Sequence, residues 1–435
     1  MKKINKRKKK LLILSDRFSI RNRLTNLGNQ VMWEGLHRLI ENNLEYQILP
    51  GRRKSFPYFT IRRFKKKSSR EDIERIFNEW FDQVTSFSYR MVKFETWVSN
   101  FLDNSFLFNN HIFRKIDKKV QDKFSMGLIE ALKPYILRNY YSHRLITQIK
   151  NADIVLSNGH DLASDHLKFY LPMEMFEVFL AKKLGKKVIV ATQTVSVTDP
   201  IAFNIVSFVY KMVDMHITRE PLSKKVLLTM GVRDDKIVVS ADSAFAIDIS
   251  DRKDVKSLIE KEGIEKGSVA VIIRSDRNVD YESWVKVINH IQEKFGRKVF
   301  CLFTSSRDEH VFKKLAKICR LHKLSEFYDY PILIQIMGNF DFVITDRYHG
   351  AIFAILANTP VIPVYPNTFK TKGLFTLFDY PIEVLNTLSE SSHDSMIESI
   401  ERVVTNQREI KDKLSKARTY LINRVNKDIK VISNV

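Results

Sequence analysis

The sequence predicts an α/β protein: two doubly wound parallel-sheet (Rossmann-like) domains facing across a cleft. Three observations carry that expectation. Strand-like and helix-like segments alternate in two successive sets along the chain. A length of 435 residues is long for a single core. The run "FDFVITDRYHGAIFAILANTPVIPV" (340–364) reads as a buried strand, a tight turn, a buried helix and the next buried strand.

Taken in order, "LLILS" (11–15) is strand-like and "GNQVMWEGLHRLIEN" (28–42) helical, with Val31, Trp33, Leu36, Leu39 and Ile40 near one face. A second strand, "EYQIL", runs into Pro50-Gly51. From about 52 to 150 the alternation lapses. That stretch is charged, aromatic-rich and mainly helical, most clearly in "REDIERIFNEWFDQV" (70–84), and reads as an insertion facing a membrane or an acceptor. Alternation resumes with "ADIVLS", a helix around 172–184, "KKVIVAT", a helix near 200–212, "DMHITR", "PLSKKVLLTMG" and "KIVVSAD". A charged stretch at 248–266 supplies a linker and one helix. The second set comprises "SVAVIIR", a helix over 280–295, "KVFCLF", helices over 308–320 and near 331–338, then the run quoted above. The tail from 388 is helical and charged. The expected domains are therefore 1–247, with an insertion at about 52–150, and 248–435, with a helical tail, in the arrangement called GT-B. No internal repeat of 20–50 residues is visible.

Composition narrows the function. The two cysteines, Cys301 and Cys319, exclude a disulfide framework and suit a reducing compartment. Neither sits in a Cys/His cluster, so no metal site is expected. The apolar part of "MKKINKRKKKLLILSDR" is too short for a leader or a membrane span. A cytoplasmic protein is expected, peripheral on the inner face of the membrane if its basic segments bind there. The net charge is +22, with basic clusters at 1–10 and 62–70. A solvated face, nucleic acid and anionic lipid all suit such clusters. No helix-turn-helix, zinc-finger or RNP pattern is present, so nucleic acid is not expected.

The turn Asp346 to Gly350 lies where ligands bind in open α/β sheets, outside the carboxyl ends of the strands. A helix starting near His349 offers unpaired N–H groups and a positive dipole end. The dipole alone contributes about 0.3–1 kcal/mol toward an anion, so Arg347 and His349 are expected to assist it. Gly350 is expected to let a ligand approach the backbone. In the competing reading Asp346 and Arg347 cap the helix and His349 is packed in the core. Arg274, ending "VAVIIR", stands where a phosphate contact could arise.

At "DRYHGAIFAILANTPVIPV" followed by "YPNTFKTKGLF", the chain resembles the polysaccharide pyruvyl transferase family, with its Arg-x-His-Gly, buried helix and downstream Lys. "TNLGNQVMWEGL", "ADIVLSNGHDLASD", "LGKKVIVATQTV", "ITREPLSKKVLLTMGV" and "VSADSAFAID" follow the family's order, so the resemblance spans roughly 11–50 and 151–385. It implies an enzyme of cell-envelope polysaccharide synthesis, moving the pyruvyl group of phosphoenolpyruvate onto a sugar of a surface polysaccharide or its lipid-linked precursor as a ketal. Phosphoenolpyruvate would be a co-substrate, with no cofactor. The family's cationic set maps onto Arg219, Arg347, His349 and Lys370, with His349 and Arg347 the catalytic candidates. The first domain becomes the acceptor side, with Asn29, Asn158 and Asp161 as contacts, and the second the donor side. The chain departs from the family at Gly28-Asn29, where Asp usually follows Gly, and at Ser157-Asn158-Gly159-His160-Asp161, where consecutive glycines are usual. A GT-B glycosyltransferase with a nucleotide-sugar donor is the competing expectation.

Overall fold

Each sheet of the molecule has its strands ordered so that the chain leaves one side and returns on the other. The computed structural model describes residues 10–16, 27–41, 45–50, 69–103, 143, 145–158, 171–249, 255–275, 278–365, 368–386 and 388–435. The first sheet contains β1 (Lys10–Asp16), β2 (Glu45–Pro50), β3 (Ile154–Asn158), β4 (Lys187–Gln193), β5 (Met215–Thr218) and β6 (Ile237–Val239). Their order is β2-β1-β3-β4-β5-β6, all parallel. The second contains β7 (Val269–Ile272), β8 (Val299–Cys301), β9 (His322–Lys323), β10 (Val343–Thr345) and β11 (Val361–Pro363). Its order is β11-β10-β7-β8-β9, also parallel. The order reverses between β1 and β3 in the first sheet and between β7 and β10 in the second. Those two points are where crevices open at the carboxyl ends.

Both faces of the strands are covered, which explains their unbroken apolar character. Along β1, Leu11 and Ile13 join one core while Leu12 and Leu14 join the other, as the two-residue period of a strand requires. The first core continues through helix Leu27–Glu41 into the second domain. The other takes in helices Leu171–Lys183 and Pro200–Tyr210. The start of the insertion is part of this second core. In helix Arg70–Asp103, the stripe Ile73, Ile76, Phe77, Trp80 and Val84 is buried, and Phe77 meets Phe179 and Phe208 edge-on with ring centroids 5.3 and 6.0 Å apart. The interior of the insertion, 104–142, lies outside the described residues.

The tail starts on the second domain, where Gln407 Nε2 donates to Asp341 O at 3.0 Å, and then reaches back to the first. Helix Gln407–Asn426 buries Ile410, Leu414, Ala417, Leu421 and Val425 on one stripe, then Arg424 donates through Nε to Val239 O at the end of β6 (3.1 Å). In the next helix, Asp428–Asn434, Asp428 accepts from Ser240 Oγ at 2.7 Å. The apolar stripe is continuous across the helix, so it follows the core wherever that core runs.

Burial pushes the Asp428 carboxyl up to about 7, against smaller opposing pulls from Ser240 and Arg424. A carboxyl whose folded pKa is raised contributes stability that is fully present below its unfolded pKa and is lost as pH rises through 7. The loss is at most about 4 kcal/mol. Asp428→Asn keeps a polar partner for Ser240 without the charge. It is expected to unfold at a higher urea concentration than the parent at pH 8, with the difference vanishing near pH 4. Equal midpoints at pH 8 would count against a buried, charged Asp428.

Among the described residues, no helix is long and apolar enough to cross a membrane.

Candidate active site

The second sheet's crevice is built by its three central strand ends. β10 stops at Thr345, and the next two residues turn into helix Tyr348–Leu356. Asp346 is buried, and its Oδ1 accepts the backbone N–H of Arg274, just beyond β7, at 2.9 Å. Its carboxylate therefore ties the two strand ends together at the crossover, where the sequence allowed a helix cap. Arg347 occupies the N-cap position with extended backbone and no side-chain cap bond. Its guanidinium instead grips Asp308 on the loop after β8, with Nε 3.1 Å from Oδ2 and Nη2 bonded to Oδ1. Asp308 is 1% exposed and also accepts from Ser275 N at 3.0 Å. Arg347 thus meets any donor anion as a held, largely neutralised pair rather than as an open fork.

Gly350 has a packing role that the sequence did not show. A Cβ there would lie 2.5 Å from Thr345 Oγ1 and 3.1 Å from Ile272 Cδ1. The strands beneath the helix therefore require glycine here on packing grounds alone. Gly350→Ala is expected to destabilise the fold by about 1–3 kcal/mol through overpacking. Urea unfolding at wild-type stability would show that the helix can shift without cost.

The first domain supplies the facing wall. Arg219 directly follows β5 and is 1% exposed. Its Nε and Nη2 reach Thr194 Oγ1 at 3.2 and 2.7 Å, and Nη1 reaches Asp242 Oδ2 at 2.9 Å. These bonds fix the guanidinium in the first domain's wall. Glu220, its neighbour in sequence, turns elsewhere and accepts from the hydroxyls of Thr194 and Ser223. A Cβ on Gly373 would lie 2.3 Å from Glu220 Cγ, so helix Lys370–Phe375 of the second domain presses against this residue.

The two walls meet at Tyr348 and His349. The Arg219 guanidinium lies 5.0 Å from the Tyr348 ring centroid, and Lys370 Nζ lies 5.5 Å from it. His349 Nε2 stands 3.9 Å from Asp242 Oδ2, the oxygen that Arg219 holds. So Arg219, His349 and Lys370, predicted from separate parts of the chain, converge, while Arg274 and Arg347 sit at the neighbouring strand ends. Asp242, Asp308, Thr194 and Tyr348 were not singled out in the sequence. Asp242 carried two legible signals, its place at the end of "KIVVSAD" and its membership of "VSADSAFAID", one of the blocks that follow the family's order.

A buried histidine elsewhere shows what packing alone looks like. His216 Nε2 donates to Tyr210 O at 3.0 Å, leaving Nδ1 to accept from Gln193 Nε2 at 3.1 Å. Gln193 Oε1 in turn accepts from Tyr210 OH at 2.9 Å. Burial lowers the His216 pKa to about 4, so this ring is neutral and structural.

On the acceptor side, Asn29 lies in the first turn of helix Leu27–Glu41 and Asn158 ends β3, both beside the first sheet's crossover. Asp161 lies outside the described residues. The amide of Leu27 donates to Thr304 O of the second domain at 2.9 Å, so the start of this helix bridges the cleft.

Two facing doubly wound sheets, with a C-terminal helix returning to the first, define a protein of the GT-B class. The chain belongs to the polysaccharide pyruvyl transferase family, which matches it over residues 26–368. Solved structures of similar fold include a UDP-GlcNAc 2-epimerase from Methanocaldococcus jannaschii in complex with UDP-GlcNAc and UDP, with a TM-score of 0.53, 13% identity, and coverage of 98% of this chain and 100% of that one. Anabaena HepE in complex with UDP and glucose gives 0.53 at 12% identity, covering 98% and 100%. The MnaA–UDP structure from S. aureus gives 0.51 at 12% identity, covering 97% of each chain. At such identities the likeness is one of fold. No curated protein matches the chain in sequence.

Proposed function

We propose that the protein transfers the pyruvyl group of phosphoenolpyruvate to two hydroxyls of a sugar in a surface polysaccharide or its lipid-linked precursor. The observation that carries this reading is the convergence of Arg219, Lys370 and His349 from both sheets on one cleft, in a chain of this family. Phosphoenolpyruvate brings a carboxylate and a phosphate, and the cations around the cleft match both. In the reaction, C3 of the donor takes up a proton and C2 is attacked by one sugar hydroxyl oxygen, which loses its own proton. The second hydroxyl oxygen then bonds to C2 and gives its proton to the departing phosphate, as the C2–O bond breaks and its electron pair leaves with inorganic phosphate. His349 is the proton carrier, since imidazole titrates near neutral pH. Arg347, Arg274 and Lys370 receive the donor's anionic groups, and the first sheet's crossover at Asn29 and Asn158, with Asp161, receives the sugar.

Incubation with phosphoenolpyruvate and candidate glycans, reading phosphate release and ketal formation, tests this directly. A nucleotide-sugar donor would instead release nucleoside diphosphate, which the same incubation distinguishes. Arg347→Lys keeps the charge but loses the planar fork that can hold Asp308 and still present an N–H to a donor oxygen, and a charge-assisted bond to the donor contributes about 1.5–3 kcal/mol. Donor KM is therefore expected to rise about ten- to a hundredfold. An unchanged KM in a folded variant removes Arg347 from the donor site. The basic segments 1–10 and 62–70 lie almost wholly outside the described residues; in this reading they bring the enzyme to anionic membrane carrying a lipid-linked acceptor.

A further inference from the structure

We propose that Asp242 is the positioning residue of this site: held by Arg219, its carboxylate orients His349 so that Nδ1 is the ring nitrogen meeting the reacting atoms. The inference rests on the pyruvyl-transfer reading for the identity of the reaction. Its geometry stands separately.

Asp242 is 0% exposed and anchored on both oxygens. Oδ1 accepts the Ala244 amide at 2.9 Å, and Oδ2 accepts Arg219 Nη1 at 2.9 Å. A carboxylate bonded from two elements of the first domain does not swing. Across the cleft, His349 approaches the Arg219-bound oxygen through Nε2, at 3.9 Å. That separation is within ion-pair range and beyond a hydrogen bond, so the proposal requires the two atoms to draw together when the site is occupied. The ring's plane is set by Tyr348, 5.1 Å away edge-to-face, and Tyr348 is itself stacked on Arg219. One guanidinium therefore fixes both the carboxylate and the aromatic ring that flank His349.

The consequence is chemical. A carboxylate opposite Nε2 favours a proton on that nitrogen and favours the imidazolium over the neutral ring. Arg219, Arg347 and Lys370 oppose the second effect, while Glu34 and His37 lie on helix Leu27–Glu41, packed against the same region. With Nε2–H directed at Asp242, the imidazolium gives up its Nδ1 proton to C3 of the donor. The ring is left neutral with its proton on Nε2, and Asp242 stays ionised throughout. Asp242 touches neither donor nor acceptor; it acts through His349.

The full-length protein with 15N-labelled histidine tests this without any substrate. Long-range 1H–15N spectra report each ring's tautomer and pKa, and His349→Gln identifies the resonances of His349 by their loss. The expected result is an Nε2–H tautomer for neutral His349 and, in Asp242→Asn, a His349 pKa lower by about one unit. The falling limb of the kcat–pH profile should move down by the same amount. An Nδ1–H tautomer in the parent protein, or an unmoved pKa in a folded Asp242→Asn protein, overturns the proposal. If Asp242→Asn does not fold, because Arg219 loses its counter-charge, the parent tautomer alone decides. Absence of phosphate release from phosphoenolpyruvate beside an Nε2–H tautomer overturns the pyruvyl-transfer reading and leaves the role of Asp242 standing.

Discussion

His349→Ala is expected to lower pyruvyl-transfer turnover by about 10²–10⁴-fold, the usual contribution of a general acid or base, with a much smaller change in donor KM. The structure places this ring on the cleft wall, 16% exposed, with Asp242 at one nitrogen. His349→Gln refines the test. Gln fills similar space and retains a hydrogen-bond donor, so a histidine serving only to pack would tolerate it. A proton carrier would not, because an amide does not titrate. Steady-state kinetics across the pH range decide between them, with circular dichroism confirming the fold. Normal turnover by the Gln enzyme at every pH would return His349 to architecture, beside His216.

The second large effect is on stability. Arg219→Leu leaves Asp242 ionised and 0% exposed, without the guanidinium that neutralises it. Breaking a buried pair by removing one partner costs about 3–5 kcal/mol. The urea midpoint should fall accordingly. Arg219→Leu combined with Asp242→Asn removes the orphaned charge and should recover part of that loss. If the single variant unfolds at the parent midpoint, the pair does not anchor the cleft wall. If the double variant is less stable than the single one, the orphaned charge is not what destabilises.

The strand and helix alternation was legible because the strands of both sheets are buried on two faces and their crossover helices are amphipathic or wholly apolar. What escaped the reading was short or held from outside. β9 has two residues and exists through pairing of His322 and Lys323 with Phe300 and Cys301. Helix Lys370–Phe375 looks like a loop in sequence, since Lys-Thr-Lys-Gly has little helical signal, and it is placed by the contact of Gly373 with Glu220. In the site, Arg347 and His349 stood out as polar residues inside an apolar run. Their carboxylate partners did not, because the pairing passes through space. Asp308 is 39 residues from Arg347, and Asp242, although inside the block "VSADSAFAID", is 23 from Arg219, so neither pairing shows in the order of residues. The packing role of Gly350 was hidden because a glycine beside a crevice and a glycine beneath a helix look identical in sequence. Asn29, Asn158 and Asp161 rested on resemblance to the family's turns, and the described side chains do not include them.

The returning tail has a mechanical consequence. The chain passes between the two sheets once between Ile249 and Val255, and again where Arg424 and Asp428 fasten the last helices to the end of β6. These two fastenings are not the whole attachment: the Leu27 amide donates to Thr304 O, Tyr330 donates its hydroxyl to Glu34, and one apolar core runs from the first domain into the second. The seam between the sheets is thus closed by packing along its length, and the width of the cleft is set by buried contacts rather than by the connecting segments alone. A substitution in that shared core is therefore expected to be felt at the cleft wall as well as in overall stability.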